Sequence, residues 1–188
     1  SVAQHCLMMM LSLSTKMLNY RSAINNGDWS RSAQFCMLDY PIESLAGKTL
    51  GIVGYGDLGK GVANLAGAFG MTILIAARQG QEPSHGRMAL SNMLPQVDIL
   101  SIHCPLTQTT TNLIDWPQLC ALPNTALLIN CARGGIVNEP ALIRALDEGQ
   151  IAGAGVDVLT KEPPPKDHPL LAIQRDNLII TPHHSMTH

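Results

Sequence analysis

The chain has 188 residues, of which 46% are apolar, 14% charged and 4% aromatic, and its formal net charge is −2. That composition can fill the core of one globular domain and excludes a disordered polymer, while near-neutral charge leaves no footprint for nucleic acid or an anionic membrane surface. The longest apolar stretch, Cys6 to Leu13, is far too short to cross a bilayer, and no basic segment or small-residue cleavage site around it marks a signal peptide.

In chain order, helical periodicity is already running at Val2. Apolar residues at 2, 3, 6, 7, 10, 13, 17 and 18 predict one helix that ends near Asn25-Asn26-Gly27. Leu7 through Met10 are four consecutive apolar residues, which point in successive directions about 100° apart. Such a helix is expected to be buried on two sides, by its own core and by a partner. A loop over 28–44 follows, with Trp29, Phe35, Tyr40 and Pro41.

From Lys48 onward, short apolar runs alternate with helical stretches. The runs are Thr49–Gly54, Met71–Ala76, Val97–His103, Thr125–Asn130, Ala152–Val158 and Asn177–Thr181. Helical patterns lie at Leu58–Phe69, around Met88–Leu94, at Trp116–Leu119 and at Glu139–Glu148. Runs this apolar suit strands covered on both faces. The expected fold is a doubly wound parallel α/β sheet of the Rossmann type, about six strands with helices on both faces. Five cysteines, odd in number and without a CxxC pair, are expected to be free thiols in a reducing cytoplasm.

The first run leads into Gly54-Tyr55-Gly56-Asp57-Leu58-Gly59, a GxGxxG in a strand–turn–helix setting. Gly54 permits the tight turn, Gly56 lets backbone approach a pyrophosphate, and Gly59 lets helix and strand pack closely, with helix N–H groups facing the phosphates. Alone the motif is no more than a glycine-rich turn; the strands around it point to a dinucleotide site. At the end of the second run, where NAD-specific sites carry a carboxylate for the ribose 2′-hydroxyl, the chain reads Ala76-Ala77-Arg78-Gln79. A guanidinium there suits a 2′-phosphate, so NADP is favoured and NAD remains an alternative.

Three later segments close the later strands: Asn130-Cys131-Ala132-Arg133-Gly134-Gly135, Gly155-Val156-Asp157 running to Glu162-Pro163, and Thr181-Pro182-His183. With these, the sequence resembles the NAD(P)-dependent D-2-hydroxyacid dehydrogenases. Phe35–Ile42 and the Leu45–Gly51 segment look most like the glycerate dehydrogenase (hydroxypyruvate reductase) branch. The resemblance covers essentially the whole chain. It implies hydride transfer between a nicotinamide cofactor and a small 2-oxo/D-2-hydroxy acid, such as hydroxypyruvate/glycerate or glyoxylate/glycolate.

By resemblance, Arg133 holds the substrate carboxylate, His183 is the acid/base, and Glu162 orients and charges its imidazole. The same likeness implies pyrophosphate contacts from Asp57 and Leu58, nicotinamide contacts from Cys131, Ala132 and Arg133, and a carboxamide acceptor at Asp157. It also implies that Cys104, Pro105 and Thr107 line the cofactor cleft. The chemistry fits these roles: an imidazolium paired with a carboxylate supplies a proton near neutral pH. A guanidinium offers two parallel donors to a carboxylate. His183 competes with His184, and only the Pro-His register selects it. Cys104 and Cys131 are expected to be buried strand-end residues and not nucleophiles. His184 and His188 have helical metal-ligand spacing but no third ligand, so no metal is expected.

The resemblance further implies a second domain, formed by segments before and after this chain, that closes over the cofactor. Residues 1–188 are therefore expected to be the dinucleotide-binding domain with its long N-terminal helix, the substrate domain being absent, and to be poorly active alone. Such enzymes commonly pair through their cofactor domains, which makes a homodimer through the N-terminal helix the expected partner arrangement. The alternative function is a nucleotide-sensing corepressor-like regulator on the same domain, which the Arg133, Glu162 and His183 set disfavours. A short-chain dehydrogenase is excluded, because Tyr20, Tyr40 and Tyr55 are followed four residues on by Ile24, Ser44 and Gly59, never by lysine.

Overall fold

The computed structural model describes residues 1–84 and 86–185. Seven parallel strands form one sheet in the order β3-β2-β1-β4-β5-β6-β7. They are β1 (Thr49–Val53), β2 (Thr72–Ala76), β3 (Arg87–Met88), β4 (Ile99–Ile102), β5 (Leu127–Asn130), β6 (Gly153–Val156) and β7 (Leu178–Ile180). Six of the seven fall inside the apolar runs. β4, β5 and β6 are buried at every position, as strands covered on both faces must be. The seventh, β3, is a two-residue edge strand pairing Ile75 with Arg87 and Ala76 with Met88. The sheet thus has one strand more than expected, because two residues are too few to show any periodicity.

Among the described residues there are eight α-helices: α1 (Val2–Ser14), α2 (Met17–Asn25), α3 (Asp28–Arg31), α4 (Asp57–Ala68), α5 (Leu90–Met93), α6 (Trp116–Ala121), α7 (Glu139–Asp147) and α8 (Pro169–Ala172). The N-terminal helix expected to run to residue 25 is instead two helices. Lys16 adopts a left-handed conformation (φ 55°), and the Thr15 hydroxyl donates to Leu11 O (2.7 Å), which ends α1 locally. The 28–44 segment also holds α3, one helical turn. Where α6 begins, Asp115 and Gln118 form a reciprocal capping box.

Apolar side chains gather in two clusters, one on each face of the sheet. The first joins α1 and α4 to the sheet through Met9, Met10, Ile52, Val62 and Ile129; the second joins α5, α6 and α7 through Met93, Leu100, Leu119, Leu128 and Leu142. Strand order reverses between β1 and β4, and in open α/β sheets ligands bind outside the carboxyl ends of the strands at that point.

Candidate active site

β1 ends at the glycine turn. Gly54 has φ 94°, and a Cβ there would fall 2.6 Å from His103 C, so the turn lies directly on the end of the neighbouring chain segment. A Cβ on Gly59 would strike the Gly54 carbonyl, whereas one on Gly56 would meet nothing within 4 Å. Gly56 therefore opens onto a cleft. No side chain caps α4, whose first turn begins at Asp57, so its amide N–H groups remain available to an anion. Leu58 is largely exposed beside them.

The cleft is lined by Gly54, Gly56, Ala77, Arg78, Cys104, Pro105 and Thr107, which brings seven of the residues expected from sequence to one site. A second hollow continues past Arg78 towards Gln118. No carboxylate ends β2: Ala77 donates its N–H to Met88 O (2.7 Å), and Arg78 is followed by a turn over 79–81. Sequence reasoning missed two cleft residues. Arg87, on the edge strand, lines the cleft beside Arg78. His103 donates to or accepts from Ser101 Oγ through Nε2 (2.8 Å), while its buried Nδ1 has no protein partner among the described residues. Burial pulls the His103 imidazole down to about 4. A side-chain-free glycine turn beside uncapped helix amides, with the guanidinium groups of Arg78 and Arg87 lining the same cleft, suits phosphate groups. The residues present fit a dinucleotide.

At the end of β5, Asn130 folds the next turn onto itself. Its carboxamide accepts from Ala132 N (3.1 Å) and donates to Arg133 O (3.1 Å). That turn buries Cys131 and Ala132 and leaves Arg133 exposed, with Nη1 donating to Ala132 O (2.7 Å). The Cys6 thiol and burial push the Cys131 thiol up, and burial raises Cys104, so neither is an activated thiolate.

After β6 the chain reaches Glu162, whose Oε1 accepts from Leu159 N (2.8 Å) and whose Oε2 meets His183 Nδ1 at 2.6 Å. His183 holds φ 51°, a conformation seldom adopted by side-chain-bearing residues and concentrated at functional sites. The ring facing Glu162 is thus that of His183, the register selected from Pro-His. The His184 ring instead stands edge-on to that of His5, 4.6 Å between centroids. His188 lies outside the described residues.

Asp157, expected as a carboxamide acceptor, is completely buried behind β6. It accepts from Thr181 Oγ1 (2.5 Å), His184 N (3.3 Å) and Ser185 N (3.0 Å). Burial favours its neutral form, yet the hydrogen bonds from Ser185 and Thr181, with His5 nearby, hold the carboxyl below its usual range.

Residues 7–185 match the family described as D-isomer specific 2-hydroxyacid dehydrogenase, NAD binding domain. The chain is 44% identical over 183 residues to a glycerate dehydrogenase of Methylorubrum extorquens, covering 97% of this chain and 57% of that protein. It is 32% identical over 187 residues to a hydroxypyruvate reductase of Blautia hydrogenotrophica, covering 97% and 58%. Its fold superimposes on the crystal structure of the TT0316 protein from Thermus thermophilus with a TM-score of 0.85 at 35% identity, covering 100% of this chain and 58% of that one. The chain therefore spans somewhat more than half the length of the relatives it matches.

Proposed function

The chain belongs to the D-isomer specific 2-hydroxyacid dehydrogenase family as an NAD-binding domain, and from that premise we propose that it is the cofactor half of an enzyme that reduces small 2-oxo acids, hydroxypyruvate or glyoxylate first among them. The contact that best supports this reading is the 2.6 Å pairing of His183 with Glu162. With Nδ1 taken by the carboxylate, Nε2 is the ring atom that delivers a proton to the carbonyl oxygen of the substrate. Glu162 stabilises the charged imidazolium before transfer and fixes its orientation. Arg133 binds the substrate carboxylate through two parallel N–H donors and polarises the adjacent carbonyl. The chemistry a bound nicotinamide supplies is hydride transfer at the carbonyl carbon.

Asp57 and Leu58 offer backbone N–H groups to the pyrophosphate. Cys131 and Ala132 bound the nicotinamide end, and Cys104, Pro105 and Thr107 the wall opposite the glycine turn; Asp157, completely buried and engaged by Thr181, His184 and Ser185, backs that end instead of lining it. Ala77 and Arg78 favour NADP, since a guanidinium replaces the carboxylate that accepts from the NAD ribose. Arg78→Ala then weakens NADPH selectively, with roughly 1.5–3 kcal/mol at stake for a charge-assisted contact; equal losses for NADH and NADPH in a binding titration refute that preference.

Residues 1–188 act as the dinucleotide-binding domain, and polypeptide outside them completes the substrate pocket, a reading that the greater length of the relatives supports. The five free cysteines support a cytoplasmic setting. Among the described residues no helix is long and apolar enough to cross a membrane. Exposed Met8 on α1 and Phe69 at the end of α4 support a homodimer through the N-terminal helix. The decisive experiment is steady-state kinetics on the full-length enzyme with hydroxypyruvate, glyoxylate and pyruvate, each with NADH and NADPH. Failure to oxidise either dinucleotide with all three acids overturns the proposal.

A further inference from the structure

His5 lies on α1, far in sequence from every residue assigned a role above, yet its ring is buried and reaches the carboxyl ends of β6 and β7. Its Nε2 is 2.9 Å from Thr181 Oγ1 and 3.5 Å from Asp157 Oδ1. The Thr181 hydroxyl has one proton, and it is given to Asp157 Oδ1, which as a carboxylate can only accept. Thr181 Oγ1 must therefore accept from His5, and the proton sits on Nε2. The direction of the chain is fixed: His5 donates to Thr181, and Thr181 donates to Asp157. Burial lowers the affinity of the His5 ring for a second proton, against the opposing pull of Asp157 and with the help of His184. The ring donates through Nε2.

Asp157 uses its remaining lone pairs on the backbone N–H groups of His184 and Ser185. The ring of His184 also packs edge-on against His5. Residues 181, 184 and 185 are thus anchored to one buried network, and they bracket His183. That residue holds the strained φ of 51° and meets Glu162 at 2.6 Å. A backbone held in such a conformation persists only where its surroundings over-determine it.

We propose that His5 is a positioning residue for His183: from α1, through Thr181 and Asp157, it fixes the segment that holds the imidazole against Glu162. The geometric part stands by itself, and its effect on turnover rests on the reading of His183 as proton donor. Without the His5 donor, Thr181 Oγ1 loses the group that orients its hydroxyl, and Asp157 loses one of its polar neighbours. The 181–185 segment is then free to relax out of its strained form.

The test uses the full-length enzyme and two independent readouts. One is the downfield proton signal of the His183 Nδ1–H in its short bond to Glu162, identified by its disappearance in Glu162→Gln. The other is the separation of kcat from KM for hydroxypyruvate. His5→Phe keeps the ring volume and removes the donor, and Thr181→Val removes the relay at constant shape. His5→Gln places an N–H at the same reach as Nε2.

His5→Phe and Thr181→Val should lose the downfield signal with circular dichroism unchanged. Both should lower kcat roughly 10- to 100-fold, the cost of an ångström-scale misplacement, with KM within about threefold because the Arg133 turn is held separately by Asn130. His5→Gln should restore the signal and most of kcat. Retention of both signal and kcat in His5→Phe overturns the proposal, as does a His5→Gln variant as impaired as His5→Phe. So does a signal missing from the unmodified enzyme. If the unmodified enzyme reduces no 2-oxo acid, the functional reading fails while the proton signal still decides the positioning role. Should His5→Phe not fold, Thr181→Val carries the same decision.

Discussion

His183 depends on a carboxylate from a different strand end, and this division of labour sets what single substitutions do. His183→Ala in the full-length enzyme should cut turnover roughly 10²–10⁴-fold, the range for a positioned general acid. On the proposed reading, in which the guanidinium acts on both the bound substrate and its developing oxyanion, Arg133→Ala should raise KM for the oxo acid as well as slow turnover. Steady-state kinetics check both, and inactivation by His184→Ala with an active His183→Ala reverses the assignment. His103 gives a pH prediction. In the fold its ring stays neutral down to about pH 4, whereas in the unfolded chain it takes up a proton near 6.5. Its contribution to stability is therefore complete above pH 6.5, is lost as pH falls towards 4, and changes no further below that; the span is about 3 kcal/mol. The urea midpoint should fall over this window, and His103→Gln should flatten the fall. An unchanged slope in that variant would place the acid sensitivity elsewhere. Both His103 and His5 show why part of the site escaped the sequence. A histidine in an apolar strand end or helix stripe looks like a core residue, and the hydrogen bond that gives His5 a role spans 176 positions.

Among the elements, β1, β4, β5 and β6 were legible because burial on both faces forces a continuous apolar run, and the GxGxxG turn was legible because a Cβ at Gly54 or Gly59 would strike backbone. The break between α1 and α2 was not, since Thr15-Lys16 carries neither glycine nor proline and the apolar rhythm continues through it. Nor could periodicity tell which of Leu7 to Met10 faces outward. In the structure Met9 and Met10 are fully buried and Met8 alone of the four is exposed. Helix α1 sits directly on β6: a Cβ on Gly155 would fall 2.8 Å from Met9 Sδ and 3.0 Å from Met9 Cβ. Gly155→Ala should therefore cost about 1–3 kcal/mol by overpacking. Made in a Met9→Ala background, which itself loses about 2–5 kcal/mol of core packing, Gly155→Ala should cost less than it does alone, because the small side chain makes room. Denaturant unfolding of the two single variants and the double variant measures the coupling; strict additivity would show that α1 does not rest on that glycine.

At the scale of the whole molecule, the apolar excess of α1 divides between a core and a surface. Met9 and Met10 serve the core, so a carboxylate at either buries an unpaired charge and unfolds the domain; neither substitution can report on assembly. The surface lies on the other side, where Leu7, Met8 and Leu11 of α1 meet Leu65 and Phe69 beside α4 in one shallow apolar hollow, with Gln4 and Ser12 as its polar members. Met8, Leu65 and Phe69 are each exposed by about two-fifths of their area, with Phe69 the most open of the three at 45%. A contiguous patch of this kind marks an interface more often than scattered surface residues do. A twofold axis beside α1 would set the hollow against its own copy, and a stable dimer requires more than roughly 1,000 Å² in total. The expected outcome is a dimeric mass for the full-length enzyme by light scattering at micromolar concentration. Met8→Glu and Phe69→Glu should each yield a folded monomer, because the like charges meet across the axis while the core is untouched. A dimer that survives both substitutions would put the interface elsewhere, and a monomeric unmodified enzyme would leave this hollow to polypeptide outside residues 1–188.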